Sequence, residues 1–245
     1  MKKTIAVITG DLVRSRRISQ KDIPRVIQRL EDIFAELNRN LLNGEAAFDI
    51  FRGDSFQVAM GRPERALLAA IIIRAGLRSF KPSDTTRLVL HAYTDARIAI
   101  GLGGVKHWGG SSDNSHYNDY LRWKKIKVSE SHGQAFELSG FLLDRMKKKG
   151  MRLGISTPWK VVNQEFQVES MLADALINQW TPHTSDAVYR HLLYRKTQTE
   201  LAENLGISQP AIHKRLIVGG NIVSIKAFID RYMEVTKALV AEEDV

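Results

Sequence analysis

Cysteine is absent from this chain of 245 residues. Disulfide bonds, thiolate catalysis and zinc sites with cysteine ligands are therefore excluded, and the absence fits a cytoplasmic protein. Long apolar segments are absent as well, because the longest apolar run, Ala66 to Ile73, is far shorter than the ~18 residues that a membrane span needs. No small-residue cleavage site follows the N-terminal Met-Lys-Lys, so we expect no secretory signal.

Acidic residues are the scarcer charged class, and their shortage is confined to the N-terminal part. Residues 1–155 hold 27 Lys and Arg against 16 Asp and Glu, a net charge of +11, whereas residues 156–245 hold 9 against 11, a net charge of −2. A basic surface favours phosphate-bearing ligands, either nucleotides or nucleic acid. The alternative for any single cluster of these charges is a solvated face that aids solubility.

Apolar periodicity predicts an α+β sandwich for residues 1–155, with helices on one face of a sheet. Strands are predicted at 4–10, 46–52, 55–60 and 151–155, and the second and third form a hairpin. Residues 87–102 are predicted to hold one long strand or two shorter ones, with 96–101 the clearest part. Helices are predicted at about 22–43, 63–79 and 133–149. The order strand, helix, hairpin, helix, strand, loop, helix, strand is the basis for this fold class.

A long loop is predicted at residues 103–131, where no period is sustained. A loop of this length is uncommon unless it serves a site or is partly mobile. The histidines in or beside it, His107, His116 and His132, match no standard zinc spacing. Its aromatic and basic residues could stack a base and hold a phosphate chain, or they could form a flap over the sheet.

No strand pattern appears after residue 156, and the composition and charge change there. We therefore predict a first domain at 1–155 and an all-helical second domain at 156–245. Helices of the second domain are predicted at about 158–179, 184–195, 198–205, 208–217 and 221–241. The last of these is a candidate dimer surface, and simple core packing is its alternative.

A helix-turn-helix motif is predicted at residues 196–216. Ala202 is small enough for two helices to cross closely, and Gly206 suits the turn between them. Ser208 can cap the second helix, and Pro210 lies in its first turn, where the missing N–H costs nothing. The residues expected to contact DNA are Ser208, Gln209, His213, Lys214 and Arg215. A helical hairpin used only for packing or dimerisation is the alternative.

Two aspartates end neighbouring predicted strands. Asp11 follows the first strand, and Asp54 lies at the tip of the hairpin after Gly53. Mg²⁺ usually binds one or two carboxylates and fills its other positions with water and phosphate oxygens. The pair therefore suggests a divalent-metal site for phosphate chemistry, while ordinary turn residues are the alternative for each aspartate alone.

These residues also carry a resemblance to known families. Gly10-Asp11 and the hairpin segment 52–57, Arg-Gly-Asp-Ser-Phe-Gln, resemble SatD-family proteins, which pair such motifs with a C-terminal helix-turn-helix like residues 196–216. The resemblance covers nearly the whole chain. More distantly, residues 1–155 resemble the ferredoxin-like palm domain of class III nucleotidyl cyclases and GGDEF enzymes. In that fold, aspartates matching Asp11 and Asp54 hold two divalent ions that bind a nucleoside triphosphate.

The resemblance implies Mg²⁺ at Asp11 and Asp54 with a nucleoside triphosphate beside it. The residues expected to bind the nucleotide are Gly10, Leu12, Val13, Arg14 and Gly53. The backbone N–H groups of Leu12 and Val13 could meet phosphate oxygens, and Arg14 would add a permanent positive charge.

The motifs also depart from the two enzyme families. Arg52 and Ser55 replace the first Gly and the Glu of the GGDEF motif, which argues against cyclic-dinucleotide synthesis. The cyclase pattern further implies a transition-state Arg and Asn on a later helix. Helix 133–149 offers Arg145 but contains no Asn.

Three functional hypotheses follow. The leading one is a DNA-binding regulator, expected to be a homodimer, whose palm domain binds a nucleoside triphosphate and Mg²⁺. The second is an active nucleotidyl cyclase or nucleotidyltransferase. The third is a catalytically inactive palm that serves dimerisation.

Overall fold

A computed structural model describes residues 4–51, 53–83, 94–110 and 123–243. Its strands are β1 (Ile5–Leu12), β2 (Ala46–Phe51), β3 (Ser55–Met60), β4 (Ala96–Gly103), β5 (Val105–Gly109), β6 (Lys127–Gly133) and β7 (Leu153–Ser156). Its α-helices are α1 (Ile23–Asn40), α2 (Ala66–Arg78), α3 (Gln134–Lys149), α4 (Lys160–Asn178), α5 (Pro182–Tyr194), α6 (Gln198–Leu205), α7 (Gln209–His213) and α8 (Ile222–Glu243). The predicted mixed α+β class is confirmed.

The main sheet has five strands in the order β2-β3-β1-β4-β7. Neighbouring strands are antiparallel except β4 and β7, which run parallel. The connection β1-α1-β2-β3-α2-β4, with β1 and β4 side by side, is a ferredoxin-like arrangement. It places the end of β1 next to the β2–β3 hairpin.

Helices cover both faces of this sheet, so the prediction of helices on one face is wrong. Ala6 and Ile8 of β1 belong to the core that α1 and α2 share, whereas Ile5 and Val7 pack with β5, β6 and the start of α3. The reason is visible in β1, whose eight residues are all buried. A strand buried on both sides needs a layer on each side.

Two strands occupy part of the segment predicted as a loop. β5 pairs with β6, and the register shifts on both sides of His107, which explains why no regular alternation marks these strands in the sequence. Trp108 and Trp123 are buried there with ring centroids 5.5 Å apart, so these two aromatic residues pack instead of offering faces to a base. Residues 111–122, with His116, Tyr117 and Tyr120, lie outside the described residues.

The C-terminal helices pack against α1 and α2. Phe166, Trp180 and Leu201 belong to the same buried cluster as Ala6 and Ile8, on the sheet face that α1 and α2 cover. One face of α8, with Ile225, Phe228 and Ile229, is buried too, and the Tyr232 hydroxyl donates to the Pro63 carbonyl over 2.9 Å. Core packing is therefore the role found for this face of α8. The domain boundary at 155/156 stays a prediction.

An ion network buried behind the sheet also crosses residue 156. Arg74 of α2 donates to Asp95 over 2.9 Å and to Asp174 of α4 over 2.7 Å. Arg78 and Arg152 contact the same Asp95 oxygen at 2.8 and 3.0 Å. Burial alone would raise the pKa of Asp95, but the three guanidinium groups outweigh it and lower the pKa from 3.8 to about 2.

None of the helices in the described ranges is long and apolar enough to cross a membrane. Those ranges also contain no cluster of three or more His, Asp or Glu residues suited to a metal ion.

Candidate functional site

The register of β1 and β3 brings the two predicted aspartates to one corner of the sheet. Asp11 lies opposite Ser55, and Asp54 is the residue just before Ser55 in the hairpin turn. The Leu12 N–H donates to the Asp54 carbonyl over 2.8 Å and ties the turn to the end of β1. Gly53 has φ of 77°, a left-handed conformation that glycine adopts without strain. The sequence-based expectation that Asp11 and Asp54 are neighbours agrees with this register.

Asp54 receives two hydroxyl groups. Ser15 Oγ donates to Asp54 Oδ2 over 2.9 Å, and Ser55 Oγ donates to Oδ1 over 3.3 Å. Ser15 opens a 3₁₀ turn that follows β1, and the residue before it, Arg14, has φ of 60° and ψ of 34°. Hydroxyl donors are neutral, so neither contact brings a positive charge to Asp54.

Asp11 is held by two cations. Arg97 Nη1 lies 3.0 and 3.3 Å from its two carboxylate oxygens, and Lys147 Nζ lies 3.1 Å from Oδ2. Arg97 is the residue opposite Asp11 on β4, and Lys147 reaches over from the last turn of α3. Asp11 itself is only 9% exposed. Asp11, Asp54, Arg97 and Lys147 together carry no net charge.

A polar row continues from Asp11 along the same face of the sheet. The Gln57 amide donates to Thr9 Oγ1 over 3.1 Å, and the Thr9 and Ser139 hydroxyls share a hydrogen bond of 2.8 Å. These bonds join β3, β1 and α3. The helix that carries Lys147 is therefore fixed to the strand that carries Asp11.

Three further arginines follow Asp11 closely in the chain, in and just before the 3₁₀ turn after β1. Arg14, Arg16 and Arg17 are exposed, and their side chains form no ion pair with the described residues. Guanidinium groups are always charged and match the geometry of phosphate oxygens. The corner therefore presents two carboxylates beside free positive charge, which is the combination that a metal-bound polyphosphate requires.

The two N–H groups predicted to meet phosphate oxygens form backbone hydrogen bonds in this structure. The Leu12 N–H is used by Asp54, and the Val13 N–H donates to the Asp95 carbonyl over 2.8 Å. Neither N–H is free to meet a phosphate oxygen in this arrangement. Gly10 has a packing reason instead, because a Cβ there would lie 2.3 Å from the Phe56 ring. As nucleotide-binding residues, Gly10, Leu12 and Val13 stay predictions.

The sequence analysis identified neither Arg97 nor Lys147 as part of this site. Arg97 lies between the buried apolar residues Ala96 and Ile98 in β4. A charged residue within such a strand was the only indication that the sequence offered. Lys147 is one of three consecutive lysines at the end of α3. Only the crossing of α3 over β1 singles out one of the three.

The donor set suits a divalent cation. Asp11 and Asp54 provide carboxylate oxygens, the ligands that Mg²⁺ prefers, and the neighbouring serines provide hydroxyl oxygens. Asp11 keeps unused lone pairs, since a carboxylate offers about four acceptor positions. The residues therefore fit one or more hard cations, with Arg97 and Lys147 as competitors for Asp11.

The segment predicted as a helix-turn-helix forms two helices joined by a turn. Thr197 and Glu200 form a reciprocal capping box at the start of α6, and Gly206 has φ of 63° at its end. The Ser208 side chain accepts from the Ala211 N–H and caps α7. Ile212 is fully buried between the helices. These features agree with the turn chemistry expected from the sequence.

The second helix of this motif is shorter than predicted. α7 spans Gln209–His213, and a π-helical segment, Lys214–Gly219, continues it. Ser208, Gln209, His213 and Lys214 are exposed, and Arg215 is half-buried. The Gln209 amide donates to Gln198 over 3.1 Å, so this side chain is already bound to α6. DNA contact by these five residues stays a prediction.

No protein-family model and no curated protein matches this chain. Among solved structures, the catalytic core of a rhodopsin-guanylyl cyclase with converted specificity, in complex with ATPαS, is 17% identical with a TM-score of 0.40 and covers 58% of this chain and 72% of that one. A non-canonical dimeric guanylyl cyclase domain from the aquatic fungus Blastocladiella emersonii is 19% identical with a TM-score of 0.38. The match covers 60% of this chain and 74% of that one. A bacterial light-regulated adenylyl cyclase is 14% identical with a TM-score of 0.36, covering 64% and 77%. Scores of this size carry no conclusion about the family or activity of this chain.

Proposed function

We propose that this protein binds a nucleoside triphosphate with Mg²⁺ at the Asp11–Asp54 corner and acts as a nucleotidyl cyclase or related nucleotidyltransferase. The observation that carries the proposal is the β1–β3 register, which puts Asp11 opposite Ser55 and next to Asp54. The sequence resemblance to SatD-family proteins and to the cyclase palm supports it, since the same two aspartates carry that resemblance.

The side chains have separate roles in this proposal. Asp11 and Asp54 hold the divalent cation, which when bound neutralises phosphate charge and the leaving pyrophosphate. Arg14, Arg16 and Arg17 attract the triphosphate, because they are exposed and free of ion pairs in the described part of the chain. Gly53 keeps the hairpin tip open, with no atom within 4 Å of a Cβ built there.

Turnover depends on further groups on α3. Arg145 is the exposed arginine of that helix, and the helix contains no asparagine. A nucleotide site that binds without turnover would fit the regulator and not the enzyme. The test must therefore measure binding and pyrophosphate release separately.

The experiment is equilibrium dialysis of labelled ATP and GTP with Mg²⁺ or EDTA, using the wild type, Asp11→Ala and Asp54→Ala. We expect Mg²⁺ to raise wild-type nucleotide affinity at least tenfold and to raise it little in either variant. The readout is the Mg²⁺/EDTA ratio, because Asp11→Ala also frees Arg97 and Lys147 to attract phosphate. Pyrophosphate release by the wild type supports the enzyme, whereas a ratio near one in all three proteins contradicts the proposal.

A second candidate function is DNA binding by residues 196–216, with the palm as a nucleotide sensor. The capped turn between α6 and α7 is the observation that favours it. Electrostatics is its weak point, because residues 156–245 carry a net charge of −2 and a duplex carries dense negative charge. A homodimer would double the contacts to DNA.

A further inference from the structure

Asp11 has two roles that conflict. It is one of the two carboxylates proposed to hold the divalent cation, yet its oxygens already contact Arg97 and Lys147. A cation that approaches Asp11 Oδ2 meets the Lys147 ammonium 3.1 Å from that oxygen. Arg97 and Lys147 already share this oxygen, so a divalent cation bound to it would be a third positive group there and would be repelled by both.

The two competing cations are held differently. Arg97 is anchored on both sides, since its Nε donates to the Met151 carbonyl over 3.0 Å and its side chain is 17% exposed. The Lys147 side chain is 45% exposed, and its other acidic neighbour, Asp144, lies 3.9 Å away at the surface. Lys147 is therefore the group that can leave Asp11 by rotating into solvent, as long flexible lysine side chains readily do.

We propose that Lys147 makes metal binding conditional on the nucleotide. In the nucleotide-free protein its ammonium occupies Asp11 and keeps divalent cations off. A nucleoside triphosphate brings enough negative charge to draw Lys147 away, so the cation and the nucleotide enter together. This inference rests on the proposed function, and it assigns Lys147 as a positioning residue for that site.

The chain supplies a matched control one residue away. Lys148 lies on the same helix end and is exposed, and its side chain forms no ion pair with the described residues. Lys147→Gln and Lys148→Gln each remove one positive charge, so they change the overall field around the site alike. Only the first removes the contact with Asp11.

The test is titration of the full chain with Mn²⁺ by electron paramagnetic resonance, without nucleotide. We expect Lys147→Gln to bind Mn²⁺ about tenfold more tightly than the wild type, because one nearby positive charge is gone. Lys148→Gln should differ from the wild type by less than about twofold. The double variant Asp11→Asn/Lys147→Gln should lose this increase in Mn²⁺ affinity, which would show that the more tightly bound ion lies at Asp11.

A second arm adds ATP or GTP with the Mn²⁺ and separates the two claims. If Mn²⁺–nucleotide binding needs Asp11, but Lys147→Gln and Lys148→Gln behave alike without nucleotide, the role of Lys147 is wrong and the proposed function stands. The role of Lys147 is also wrong if, without nucleotide, the wild type binds Mn²⁺ as tightly as Lys147→Gln does. If no protein binds Mn²⁺ with or without nucleotide, both claims fall.

Discussion

The carboxylate of Asp11 shows how one residue can serve both folding and chemistry. It lies in a strand in which all eight residues are buried, and a charge in such a place must be paired. Arg97 and Lys147 supply that pairing. A substitution of Asp11 therefore removes a metal ligand and also leaves two cations without their partner.

Gly10 gives a prediction about packing at the same corner. Gly10→Ala should lower the free energy of unfolding by about 1–3 kcal/mol, because the new Cβ would lie 2.3 Å from the fully buried ring of Phe56. Gly140→Ala on α3 is the matched control, since nothing lies within 4 Å of a Cβ there and alanine favours helix. Urea unfolding of both variants checks this, and equal effects would contradict it.

Asp95 gives a prediction about acid stability. Its pKa in the folded protein is about 2, below the ordinary 3.8, so the ionised form stabilises the fold above pH ~4 and that contribution, ~2 kcal/mol, is lost as the pH falls towards 2. Arg152→Gln removes the most exposed of its three cations, so the pKa of Asp95 should rise towards its ordinary value and the stability lost in acid should be smaller.

The measurement for Asp95 is the free energy of unfolding in urea between pH 6 and pH 3. Arg145→Gln is the control, because Arg145 is exposed and lies outside the network. Identical pH profiles for Arg152→Gln and Arg145→Gln would show that Arg152 does not stabilise the ionised form of Asp95.

Single residues differ in how far the sequence reveals them. The proximity of Asp11 and Asp54 could be predicted because one lies near the end of the first strand and the other in the turn of the neighbouring hairpin. Arg97 and Lys147 could not, because their contact with Asp11 depends on strand order and on where α3 crosses β1. The use of the Leu12 and Val13 N–H groups depends on the same long-range pairing.

At the scale of elements, local signals worked where the chain follows one period. Gly206 in the turn and the Ser208 cap of α7 were predicted because caps and turns depend on neighbouring residues. β5 and β6 were missed because their register shifts break the alternation. The end of α7 was missed too, because the change to a π-helical segment at Lys214 carries no sequence signal.

Lys214 gives the prediction for the DNA-binding candidate. Lys214→Ala should weaken duplex binding and lower the slope of log affinity against log salt by about one, the effect of one lost phosphate contact. Lys237→Ala on α8 is the control, a lysine far along the chain from the turn. Fluorescence anisotropy with a labelled duplex at several salt concentrations measures both, and no duplex binding by the wild type at low salt removes this candidate.

At the scale of the whole molecule, buried charge joins the sheet to the C-terminal helices. Arg74 is fully buried and contacts Asp95 before β4 and Asp174 on α4, while the Arg78 guanidinium donates to the Asn178 and Trp180 carbonyls over 2.9 and 2.7 Å. The Val13 N–H bonds the Asp95 carbonyl, so the network begins next to the candidate site. Charge pairs of this kind cannot be assigned from sequence, because their partners lie about a hundred residues apart.

Asp174 tests this connection. Asp174→Asn should lower the free energy of unfolding by ~3 kcal/mol, because it leaves buried Arg74 with one carboxylate partner fewer. Glu165→Gln breaks the exposed pair with Arg231 and should cost at most ~1 kcal/mol. Calorimetry of both variants measures the two losses of stability. A small effect of Asp174→Asn would mean that the ion network does not hold the C-terminal helices to the sheet.

The central claim is that the Asp11–Asp54 corner binds a nucleoside triphosphate through a divalent cation, and the hairpin provides its most direct test. Asp54→Asn keeps the size of the side chain and removes its charge, and Asp49→Asn does the same on β2, where Asp49 accepts from Ser129 away from the corner. Isothermal titration with Mg²⁺ and ATP or GTP should show at least tenfold weaker binding for Asp54→Asn and wild-type affinity for Asp49→Asn. Equal affinities for the wild type and Asp54→Asn would contradict the claim.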